Sequence, residues 1–116
     1  MRIGLFSETY PPEINGVATA TKSLYDAFKR NGHEVYVITT NPFGKKIEFR
    51  DDILRIPGIT LKFLYSYKMA GFINPKATKI IKKLRLDIIH VQTEAGIGIY
   101  GRLLANKLNI PLVYTY

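Results

Sequence analysis

Cysteine is absent from the 116 residues, which excludes a disulfide-stapled scaffold, a thiolate zinc site and a cysteine nucleophile. No apolar run approaches the roughly 20 residues that a bilayer-spanning helix needs. The apolar stretch Ile3 to Phe6 ends at Ser7 and Glu8, too soon for the hydrophobic region of a secretory signal, so a cytoplasmic location is expected. Walker A and nucleophile-elbow sequences are missing, which removes the commonest NTPase and hydrolase signatures. His33 and His90 have no companion at metal-ligand spacing; both are expected to be structural, with no metal site. Acidic residues are scarce. Nine Asp and Glu face seventeen Lys and Arg, a formal charge of +8 that favours phosphorylated substrates, anionic lipid or nucleic acid.

What is present suits a folding chain. With 47% hydrophobic and 22% charged residues a core is feasible, and the length fits one small domain or part of a larger one. Ile3 to Phe6 reads as a strand buried on both faces, followed by a loop from Ser7 to Gly16. Val17, Ala20, Leu24, Ala27 and Phe28 recur at helical spacing, and Asn31-Gly32 supplies a left-handed stop. Val35 to Ile38 is a second strand, and Ile53 to Ile56 a third, with Arg55 placing it at or near an edge. Asn74-Pro75 opens a helix whose buried face is Ala77, Ile80, Ile81 and Leu84. Asp87 to Val91 is a strand, Thr93 can cap a helix through Tyr100, Leu104 and Leu108, and Pro111 to Tyr114 is the last strand. This alternation predicts a doubly wound, Rossmann-like α/β fold around an open parallel sheet. The finish directly after a strand predicts the front part of a longer protein, and an uncovered last strand predicts self-association, which a monomeric sedimentation result would remove.

Ligands of such sheets bind beyond the carboxyl ends of the strands, where the strand order reverses. If the first strand and the Ile88 strand are neighbours, the loops Ser7 to Gly16 and Gln92 to Ala95 face one crevice. Asn15-Gly16 at a helix N-terminus then offers free N–H groups and close approach to a phosphate; a plain turn and cap is the competing explanation. Gly96, Gly98 and Gly101 spell G-x-G-x-x-G, the basis of an alternative reading as a dinucleotide-binding oxidoreductase domain. The motif starts well beyond its strand, outside the first βαβ unit, and no acidic residue follows Glu94 to hold a ribose, so close helix packing is the expected role of its glycines.

Between Leu61 and Phe72, the side chains of Lys62, Phe63, Tyr65, Tyr67, Lys68 and Phe72 interleave aromatic groups with cations. The next helix sets Lys76, Lys79 and Lys83 on one face, with Lys82 and Arg85 close by. This pattern suits an anionic membrane surface; an ordinary solvated helix face is the alternative, as is a non-catalytic α/β module binding anionic lipid. No RNA-module motif accompanies it, so nucleic acid is not an expected partner.

Met1-Arg2-Ile3-Gly4-Leu5-Phe6-Ser7-Glu8-Thr9-Tyr10-Pro11-Pro12, Asn15-Gly16-Val17-Ala18, Gly32-His33-Glu34-Val35 and His90-Val91-Gln92-Thr93-Glu94 together resemble family 4 glycosyltransferases of the GT-B fold, with the nearest likeness to bacterial enzymes that glucosylate diacylglycerol. The resemblance covers the whole chain. It implies part of an N-terminal, acceptor-side domain, with a C-terminal nucleotide-sugar domain beyond it. It further implies metal-independent, retaining transfer of glucose from UDP-glucose, as substrate rather than cofactor, to a lipid hydroxyl at the inner face of the cell membrane; a soluble acceptor is the alternative. By position, Asn15 and Gly16 would line the donor diphosphate, and Glu8, Tyr10, Gln92 and Glu94 the acceptor side. The family's histidine after the Thr-Tyr end of the last strand and its donor-domain glutamates lie outside these residues, so no catalytic residue is assigned and the segment alone is expected to be inactive.

Overall fold

The computed structural model describes residues 1–7, 16–41, 47–57, 75–92 and 96–114. Its elements are β1 (Arg2–Phe6), α1 (Gly16–Arg30), β2 (Glu34–Asn41), β3 (Glu48–Arg50), β4 (Ile53–Pro57), α2 (Pro75–Leu84), β5 (Ile88–Val91), α3 (Gly96–Leu108) and β6 (Leu112–Tyr114). The sheet order is β3-β4-β2-β1-β5-β6. All pairings are parallel except β3 with β4. The chain winds outward from β1 through β2 to β4, returns to β5 on the other side of β1 and continues to β6, so the order reverses between β1 and β5.

Alternation along β1 divides the core between the two faces. Ile3 and Leu5 join Val35 and Val37 beneath Leu24, Tyr25 and Phe28 of α1. Phe6 points the other way and packs with Ile38, Leu54 and Ile89 against Ala77 and Ile81 of α2 and Ile97, Tyr100 and Leu104 of α3. Helices therefore cover both faces, and the doubly wound α/β expectation holds. Tyr100 fastens the second layer: its ring meets Phe6 edge-on at 6.3 Å, and its hydroxyl lies 2.7 Å from Thr78 Oγ1 on α2. Burial pushes the Tyr100 phenol up to about 12, so it stays protonated at any physiological pH.

The helix ends follow from local chemistry. Gly32 takes a φ of 84°, and the N–H groups of Gly32 and His33 bond back to the carbonyls of Lys29 and Phe28 at 3.1 Å, closing α1 with a paired left-handed cap. Asn109 closes α3 in the same way, with φ 55°. The sheet departs from the sequence expectation at one edge, where β3 is an additional, antiparallel strand. Residues 48–50 are all exposed, and the apolar-polar alternation Ile47-Glu48-Phe49-Arg50 is too short to announce a strand. Their signal is the turn instead: Asp51 and Asp52 both have positive φ (53° and 65°), as a two-residue hairpin requires, and Asp tolerates that region better than most side chains.

Gly101 sits where α3 presses on the sheet. A Cβ there would lie 3.0 Å from two ring carbons of Phe6 and 3.1 Å from Val91 Cγ2. The glycine is thus a close-packing contact, as its sequence context implied. Gly101→Val is expected to destabilise the fold by at least about 2–3 kcal/mol in denaturant unfolding, because both neighbours are fully buried and cannot move aside.

Candidate functional site at the strand switch point

Beyond Phe6, the ladder continues through Ser7 N–H to the Ile38 carbonyl (3.0 Å) and Gln92 N–H to the Phe6 carbonyl (2.9 Å). One step past the pairs Phe6–Ile38 and Phe6–Val91, the registers therefore align Thr39, Ser7 and Gln92 across β2, β1 and β5 at their carboxyl ends. By alternation this row belongs to the face covered by α1. Thr21 of α1 confirms the side, donating from Oγ1 to Ser7 Oγ at 3.1 Å. Ser7, Thr21 and Thr39 are fully buried, whereas Gln92 is partly exposed. Two atoms in the row are buried with no hydrogen-bond partner: Thr39 Oγ1 and Gln92 Nε2.

Gly16 is the first residue of α1, exposed, with open space where a Cβ would stand. That helix end carries no acidic residue in its first turn, so no carboxylate there offsets the positive end of the helix dipole. At the switch point the N-terminal end of α1 thus stands beside a row of uncharged polar groups. Asn15, Glu8, Tyr10 and Glu94 lie outside the described residues, as do Lys62, Phe63, Tyr65, Tyr67, Lys68 and Phe72. Lys76, Lys79, Lys82 and Lys83 are all exposed on α2, on the side away from buried Ala77 and Ile81. Ser7, Thr21 and Thr39 were not among the sequence candidates. Their only signal is that each is a small polar residue ending or interrupting an apolar pattern, which becomes meaningful once the register aligns them.

One row below, His90 stands beside Leu5 under α1, with its ring 6.4 Å from that of Phe28. Burial holds its pKa below the usual 6.5. His33 meets Phe28 edge-on at 6.2 Å. Among the described residues no group of His, Asp or Glu could hold a metal. Because folding favours the neutral His90 ring, its stabilising effect is complete above the unfolded value of 6.5 and is lost as pH falls from there through the lower folded value. Unfolding midpoints should accordingly fall between pH 7 and pH 5, and His90→Leu should flatten that part of the profile.

The profile of glycosyltransferase family 4 matches residues 14–116. The chain belongs to that family. It is 43% identical over 117 residues to an alpha-monoglucosyldiacylglycerol synthase of Acholeplasma laidlawii, covering 99% of this chain and 29% of the relative. It is 40% identical over 120 residues to an alpha-monoglucosyldiacylglycerol synthase of Streptococcus pneumoniae, covering 100% of this chain and 26% of the relative. This family 4 chain therefore spans little more than a quarter of the length of these proteins. Its fold is shared with a UDP-GlcNAc 2-epimerase from Methanocaldococcus jannaschii, with a TM-score of 0.61 at 19% identity, covering 99% of this chain and 31% of the other. That likeness concerns the doubly wound layer arrangement alone. Family membership accounts for the loop and strand motifs from Asn15 to the end of the chain; Gly101 meanwhile has a packing role that needs no dinucleotide.

Proposed function

We propose that the protein carrying this chain transfers glucose from UDP-glucose to the free hydroxyl of diacylglycerol, with retention at the anomeric carbon, at an anionic membrane surface on the cytoplasmic side. The segment would serve as part of its N-terminal, acceptor-side domain. The observation that carries the proposal is the 43% identity, maintained over 99% of the chain, to a protein named for that glycolipid. The exposed lysines of α2 support it, since a lipid acceptor has to be met at a membrane surface.

In this proposal the chain's own groups divide the work. Asn15 and Gly16 face the donor diphosphate, where the N-terminal end of α1, equivalent to roughly half a positive charge, offsets negative charge growing on the leaving group. Glu8, Tyr10, Gln92 and Glu94 border the acceptor. The aromatic-basic run from Lys62 to Phe72, together with Lys76, Lys79, Lys82 and Lys83, holds the domain on anionic lipid. No described helix is long and apolar enough to cross a membrane.

The test is incubation of the complete protein with radiolabelled UDP-glucose and mixed micelles of diacylglycerol and anionic phospholipid. A glucosyldiacylglycerol with an α-linkage by NMR is expected. Transfer to a water-soluble sugar acceptor but not to diacylglycerol would replace the acceptor assignment, and transfer to neither would overturn the proposal.

A further inference from the structure

The chain carries a net charge of +8, yet its positive groups avoid both segments that form the switch point. Residues 3–21 contain no Lys or Arg, and neither do residues 86–101; their charged side chains are Glu8, Glu13, Asp87 and Glu94. Ser7 and Thr21 of the first segment and Gln92 of the second line up with Thr39 of β2 in a row in which every side chain is uncharged. Of this row only Gln92 reaches the outside, and an uncharged carboxamide is poorly suited to a phosphate and well suited to hydroxyl oxygens, which both donate and accept hydrogen bonds.

Gln92 is distinct within the row. Thr39, Ser7 and Thr21 are sealed, but Gln92 is partly exposed just beyond β5, anchored by its backbone N–H on Phe6, while its buried Nε2 has no partner. A buried amide left unpaired lowers stability, and native proteins retain such groups where something else satisfies them. We infer that Gln92 is a specificity-determining residue that hydrogen-bonds an uncharged hydroxyl of the substrate through its carboxamide, and so selects a neutral polyol group over a phosphorylated one. This inference rests on the proposed transferase function and names the group that its acceptor-side crevice reads. The hydroxyl has two possible sources, the lipid acceptor and the hexose of the donor, and the kinetic constants separate them.

The test uses the complete protein with diacylglycerol micelles and UDP-glucose, comparing wild type with Gln92→Leu, Gln92→Glu and Thr39→Val. For Gln92→Leu, KM for diacylglycerol should rise about tenfold while kcat and KM for UDP-glucose stay near wild type and the unfolding temperature is equal or higher. Gln92→Glu keeps an acceptor oxygen but loses the donor, so it should fall between the two. A rise in KM for UDP-glucose instead assigns the same contact to the donor hexose. Thr39→Val removes the sealed hydroxyl at the far end of the row and should leave both KM values unchanged with equal or higher stability. If Gln92→Leu is folded and active with both KM values unaltered, or if Thr39→Val shifts them equally, Gln92 does not read the substrate and the inference falls while the transferase reading stands. Absence of wild-type transfer to any hydroxyl acceptor would overturn that reading and this inference together.

Discussion

Changing Lys76, Lys79, Lys82 and Lys83 to glutamate is expected to abolish flotation of the protein with vesicles rich in anionic lipid. Each cation near such a surface contributes about 1 kcal/mol, so removing four weakens partitioning by roughly a thousandfold, before the repulsion of the new carboxylates is added. The wild-type protein should float at low salt, and raising salt should weaken its binding, because these exposed charges are screened over about 10 Å at 0.1 M. The fold should survive, since all four side chains are exposed and α2 is held by Ala77, Ile81 and the Thr78–Tyr100 hydrogen bond. Lys82 and Lys83 occupy the last turn of α2, where glutamate opposes the helix dipole, and far-UV circular dichroism checks that the helix remains. Glutamine at the same four positions separates loss of attraction from added repulsion. Flotation that is unchanged in the glutamate variant would return this face to the role of an ordinary solvated helix surface.

The second large effect is expected at Gly16, where stability and donor use should move in opposite directions. Gly16→Asp places a carboxylate in open space at the start of α1, a position whose first turn holds no acidic residue. Interaction with the dipole should stabilise the free protein by about 0.3–1 kcal/mol, read as a higher unfolding temperature. The same carboxylate would occupy the place proposed for the donor diphosphate and repel it, so kcat/KM for UDP-glucose should fall by about a hundredfold or more in the complete protein. Gly16→Ala isolates the steric part of the effect. A Gly16→Asp variant that is stabilised and retains normal kcat/KM would remove α1 from the donor site.

Much of the architecture was legible locally. The apolar pattern of Ile3 to Phe6 and of Val35 to Ile38 marks strands with both faces covered, and the 3.6-residue recurrence through Leu24 and Phe28 marks a helix with one face buried. Gly32 announces the end of α1 because a left-handed residue there relieves the free carbonyls. These features depend on residues close in sequence, and the consequence of each can be read without knowing its distant neighbours. Strand β3 is not legible in this way, for the complementary reason. Exposed Glu48, Phe49 and Arg50 form an edge strand only because β4 is there to pair with them.

The site divides along the same line. The sequence determined which loop ends in Asn15-Gly16, that a basic face follows residue 75, and that no cation lies in the two segments flanking the crevice. Those are properties of composition and short-range spacing. The tertiary structure decided that Gly101 is a contact with Phe6 and Val91, that burial beside Phe28 lowers the pKa of His90, and that Thr39, Ser7 and Gln92 share one row. Each of these depends on the register of parallel strands brought together by crossovers far longer than any sequence pattern. Only that register reveals a buried amide with no partner at the point where the strand order reverses.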